Sequence, residues 1–104
     1  MFRITPAAAE QIRKAAEQGG TEGMALRLAV SENADGSLNY KMGFDEPTDT
    51  DLRVASEGVD IIMDPRFQNY LEECTLDFVE LEPGNWQFIF LNPADPHYVP
   101  PKEH

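Results

Sequence analysis

The chain has 104 residues, 41% hydrophobic and 26% charged, the balance of one soluble globular domain with enough material to bury a core. Nineteen acidic against eight basic residues give a net charge of −11. The eight bases (Arg3, Arg13, Lys14, Arg27, Lys41, Arg53, Arg66, Lys102) are scattered, which argues against direct binding of nucleic acid or an anionic membrane and leaves a basic protein partner or plain solubility.

Thr5 followed by Pro6 is a helix start, a capping hydroxyl and then the residue favoured at the first helical position. The helix-forming run PAAAEQIRKAAEQ carries a narrow apolar stripe of Ala8, Ala9, Ile12, Ala15 and Ala16, suited to close packing on a sheet, and Gly19-Gly20 ends it. Residues 23–30 and 37–44 then alternate with period two, Met24, Leu26, Leu28 and Val30 on one face of the first, Leu38, Tyr40, Met42 and Phe44 on one face of the second. That predicts a hairpin whose tip is SENADGS, with Asp35-Gly36 as its turn residues. DEPTDTD, residues 45–51, reads as an exposed, solvated loop and lacks the ligand rhythm and central glycine of a calcium loop. LRVAS, the turn EG and VDIIMD predict a second strand pair. Asp64-Pro65 repeats the cap-plus-proline signal and opens a short helix anchored by Phe67, Tyr70 and Leu71. TLDFVEL, EPGN and WQFIFL give a final hairpin ending at Asn92-Pro93. The remainder, with Pro96, Pro100 and Pro101, predicts an extended or mobile tail. The expected class is α+β: six or seven short, mostly antiparallel strands in two layered sheets, one N-terminal helix and one short internal helix.

Chemistry-bearing residues are sparse. No apolar run approaches the ~20 residues of a membrane span, and the start lacks the apolar stretch of a secretory signal. A lone cysteine, Cys74, excludes an internal disulfide, so a cytoplasmic chain is expected, short of a mature form that has shed its signal. Cys74 shares parity with Leu76 and Phe78 and reads as a buried small hydrophobe. His97 and His104 both fall in the tail, a poor place for a preorganised base. No nucleotide-binding glycine fingerprint or zinc motif occurs, and no nucleophile is paired with a base, so an enzyme is not expected.

The segments RITPAAAEQI, LRLAV, FDEPTDTD, GVDIIMDPRFQNYLEECTLDF and FIFLNPA occur in an order and spacing that resembles the A-type iron–sulfur carrier family, the HesB/IscA group, over residues 3–94. The resemblance implies a HesB-like domain at 1–94 and a tail at 95–104. It also implies that family function rests on three cysteines, one at the hairpin tip and a Cys-Gly-Cys near the C-terminus, since thiolates are what hold iron in such clusters. Here the first position falls on Asp35, the C-terminal pair falls in DPHYVPPKEH, which has no cysteine, and Cys74 matches a non-ligand position. The pattern is similar to a ligand-lacking branch encoded with dissimilatory sulfite reductase genes in sulfur-oxidising bacteria. That implies no resident cofactor, no metal site and an accessory or regulatory role through a protein partner. The residues that bridge clusters between chains are missing, which tilts the expectation toward a monomer. The alternative is an iron or iron–sulfur carrier using non-cysteine ligands, Asp35 and His97.

Overall fold

The computed structural model describes residues 2–93. The tail read at 95–104, with His97 and His104, lies outside the described residues.

The Thr5-Pro6 signal is realised. Thr5 sits in extended backbone, its hydroxyl accepts from the Ala8 N–H at 3.2 Å, and it donates to Asp77 Oδ1 at 2.7 Å. Helix α1 runs Pro6–Gly19 and closes on Gly20, whose left-handed φ of 69° lets its N–H reach back to the carbonyls of Ala16 and Glu17. Ala8, Ala9, Ile12 and Ala16 are buried, and Ala15 is half-buried. These small side chains let α1 lie close against both sheets of the fold.

Strands β2 (Ala25–Glu32), β3 (Leu38–Asp45), β4 (Leu52–Ser56) and β5 (Val59–Met63) form one sheet in the order β3-β2-β5-β4. Strands β1 (Arg3–Ile4), β6 (Thr75–Glu82) and β7 (Asn85–Leu91) form the other, in the order β1-β6-β7. The three hairpins are antiparallel, as their alternation predicts, with Leu26 opposite Phe44, Val54 opposite Ile61 and Phe78 opposite Phe88. Two junctions are parallel, β2 with β5 (Leu28 opposite Met63) and β1 with β6 (Ile4 opposite Leu76).

Leu26, Leu28 and Val30 bury one face of β2 and meet Ile61, Met63, Leu71 and Leu76 in a single core. Each such fully buried side chain contributes about 1.5–3 kcal/mol. Met24, read as part of the β2 stripe, precedes the strand and is 41% exposed, while Met42 sits on an edge strand and is 36% exposed. The short helix read from Pro65 onward is divided: a 3₁₀ turn at Pro65–Phe67, capped by Asp64, then α2 at Gln68–Leu71, held inward by Leu71. No helix among the described residues is long and apolar enough to cross a membrane.

Candidate functional site

The hairpin tip is a self-contained turn. β2 ends at Glu32 and β3 begins at Leu38. The Asn33 N–H donates to the Ser37 carbonyl at 2.8 Å, and the Gly36 N–H donates to the Asn33 carbonyl at 3.0 Å. Gly36 has a φ of 86°, which a side-chain-bearing residue reaches only with strain. Asp35 is exposed, and its Oδ1 accepts from both the Ser37 N–H (3.0 Å) and the Ser37 hydroxyl (2.6 Å). Asn33 Nδ2 donates to Ser37 Oγ at 3.0 Å. The carboxylate at this position therefore closes its own loop.

At the foot of the tip, β3 meets the end of β7. The Tyr40 and Phe90 rings stack 4.2 Å apart and nearly coplanar. Asn92, 1% exposed, donates from Nδ2 to the Tyr70 carbonyl (2.6 Å) and to the Tyr40 hydroxyl (3.2 Å). One amide thus ties the short helix, the tip-bearing strand and the end of the last strand together. The sequence flagged Asn92-Pro93 only as a strand terminus. A polar residue directly after the apolar run WQFIFL was the available signal.

The loop at 45–51 is exposed but anchored. Arg27 Nε donates to Asp45 Oδ2 at 2.8 Å, its two terminal nitrogens reach the two oxygens of Asp51 at 2.8 Å each, and one also donates to the Glu46 carbonyl at 3.2 Å. The Asp51 side chain is 5% exposed, and its carboxylate also accepts from the Thr48 N–H at 2.8 Å. Hydrogen bonds from Arg27 and then from the Thr48 N–H hold the Asp51 carboxyl far below the usual carboxylate range. Those from Arg27 and the Glu46 N–H lower Asp45. Bonds to the same two carboxylates push Arg27 up. Arg27 lies opposite Ile62 in the parallel register, and Ile62 is only 1% exposed, sharing a small cavity with Pro47 of this loop. The clamp thereby holds the loop as a cover on the outer face of the sheet. This geometry makes the Leu-Arg-Leu and Asp-Glu-Pro segments one structural unit, although neither motif alone indicates it.

Cys74 has no exposed surface and packs in the core with Leu71, Leu76 and Ile4, as its parity indicated. Asp35 and Cys74 therefore lie in different environments, one on the surface and one in the interior, and His97 lies outside the described residues. Among the described residues no three His, Cys, Asp or Glu side chains converge. The donor set around the tip is carboxylate and hydroxyl oxygen, and it does not match the soft sulfur ligation that iron–sulfur clusters require. A cavity of about 310 Å³ between β4 and α2 is lined by Phe2, Leu52, Arg53, Val54, Met63, Gln68, Leu71 and Glu72, with no nucleophile–base pair among the described residues.

A family profile described as iron-sulphur cluster biosynthesis matches residues 1–94. An uncharacterized protein in the nifU 5′ region of Cereibacter sphaeroides is 39% identical over 95 residues, covering 89% of this chain and 88% of its own length. The iron-sulfur cluster insertion protein ErpA of Xanthomonas euvesicatoria pv. vesicatoria is 33% identical over 93 residues, covering 88% of this chain and 72% of that protein. Among solved structures, IscA with the [2Fe-2S] cluster superposes with a TM-score of 0.75 at 29% identity, covering 89% of this chain and 86% of that one. SufA of Escherichia coli superposes with a TM-score of 0.70 at 29% identity, covering 88% and 85%.

Proposed function

The chain belongs to the iron–sulphur cluster biosynthesis family, and from that premise we propose that it is a non-enzymatic A-type carrier homologue that has given up cluster binding and acts through a protein partner. The observation that carries this reading is the state of the sulfur. One cysteine occurs in 104 residues, and it is wholly buried in the core. Where the family resemblance expects the first thiolate, Asp35 stands, with its carboxylate bonded to Ser37. Residues 94–104, ADPHYVPPKEH, contain no cysteine. Fold and ligand set are separable, and function follows the ligands.

The same pattern resembles DsrR, and with it an accessory or regulatory role in bacterial sulfur oxidation. In this reading residues 1–94 are the interaction domain, 95–104 is an extended or mobile tail, and the site of action is the cytoplasm, where a lone cysteine is ordinary. The test is purification without oxygen, incubation with ferrous iron and sulfide, then desalting. A colourless, metal-free protein is the expected result; stoichiometric iron and visible absorbance retained after desalting would overturn the proposal. The relatives described as cluster-inserting or cluster-bearing support the carrier part of a second reading, in which Asp35 and His97 serve as the ligands. Retained iron that disappears in Asp35→Ala would establish it.

A further inference from the structure

Three long strands lie at sheet edges: β3 and β4 in one sheet, β7 in the other. An edge presents a row of backbone N–H and C=O groups to solvent, and proteins protect such edges with charge. β3 carries Lys41 and β4 carries Arg53, each exposed. β7 reads NWQFIFL, and of the seven strands it alone has no charged residue among those described. It has no proline either, and at seven residues it is among the longer strands. Among the described residues its only strand neighbour is β6.

A second observation falls at the same place. A groove of about 450 Å³ runs between α1 and the β6–β7 hairpin, lined by Ala7, Glu10, Gln11, Lys14, Phe78 and Trp86. Trp86 stacks on Phe78 at 5.6 Å and still leaves 53% of its surface exposed, as does Leu81 on the neighbouring strand. Lys14 is neutralised by Glu10 at 3.3 Å. Glu80 and Glu82 lie on β6 beside the start of β7, opposite Trp86 and Asn85. The edge is thus uncharged along the strand and acidic at one end, in a chain of net charge −11.

We propose that the outer edge of β7 is a strand-addition site for an extended, basic segment of a partner protein. The partner's backbone pairs with residues 85–91, alternate side chains enter the groove walled by Phe78 and Trp86, and its basic residues meet Glu80 and Glu82. This rests on the protein-interaction reading above and names its surface and the chemistry of its partner. Charge selects a basic segment over a second copy, because two copies would bring like charges of −11 together.

The test uses the full chain and a nine-residue peptide alternating lysine with valine, with the glutamate-for-lysine peptide as its counterpart. Amide exchange followed by NMR should show β7 amides slowed by about tenfold with the lysine peptide, and the glutamate peptide should bind at least about tenfold more weakly. Gln87→Lys, which gives β7 the guard its sister edges have, should weaken binding by about tenfold without moving the thermal midpoint, because Gln87 is exposed. Trp86→Ala provides the same loss from the groove side. Binding that leaves β7 amides unchanged, equal binding of both peptides, or no binding would overturn the proposal. So would β7 amides already protected in a protein that sediments at twice its chain mass, which would give the edge to a second copy. Iron retention tests the parent reading separately and moves none of these outcomes.

Discussion

Removing the guanidinium of Arg27 strands the carboxylate of Asp51, whose side chain is only 5% exposed. Arg27→Ala is therefore expected to lower the thermal midpoint by several degrees and to raise proteolysis in the 45–51 loop; an unchanged midpoint would show that the clamp is incidental. The pH dependence follows from the same contact. Because the folded-state Asp51 carboxyl lies below its unfolded value of about 3.9, the clamp contributes fully above that pH and loses its contribution as pH falls toward the folded value. The difference in midpoint between the wild type and Asp51→Asn should accordingly be largest above pH 5 and shrink below pH 4. Asn92 makes a second, uncharged case. Asn92→Ala leaves the half-buried Tyr70 carbonyl short of a donor and should cost about 1–3 kcal/mol, read from the urea midpoint. Neither role was legible in the sequence. Arg27 finds its partners 18 and 24 residues away, and Asn92 finds Tyr40 at a separation of 52, beyond any local periodicity.

Strands and helices were far more readable than these contacts. Thr5-Pro6 and Asp64-Pro65 marked both helix starts because the cap hydrogen bonds are local: Thr5 to Ala8, Asp64 to Arg66. The alternation in 23–30 and 37–44 placed β2 and β3 because one face of each meets the core. β1 escaped detection because two residues carry no period. The parallel junctions escaped because the partners are distant in the chain. The short turn EG was also read correctly, and it hides a strained element. Glu57 has a φ of 51°, followed by Gly58 at 76°, so both central residues of the β4–β5 hairpin are left-handed. Asparagine tolerates that conformation better than glutamate. Glu57→Asn should stabilise the protein by about 0.5–1 kcal/mol while preserving the bond from Arg13 to the backbone carbonyl of residue 57. A fall in thermal midpoint would refute this account of the turn.

Taken whole, the molecule balances a neutral interior against a surface of net charge −11. Self-repulsion among those charges opposes compaction and is screened by salt. The thermal midpoint should rise by a few degrees between low salt and 0.5 M sodium chloride; a fall would mean that the Arg27 clamp and its kin outweigh the repulsion. Layering and class were legible because the number of short alternating strands leaves few other arrangements. The candidate site was legible only in part. The position of Asp35 came from the tip, but its closure onto Ser37 and the anchoring of the 45–51 loop required coordinates. One architectural detail bears on how the chain comes into being. Ile4 pairs with Leu76, and Thr5 bonds Asp77 at a separation of 72 positions. During synthesis the first strand therefore waits, unmatched, until Leu76 and Asp77 have left the ribosome. Closure of the three-stranded sheet becomes a late event, and until then the first strand is a segment a chaperone can hold.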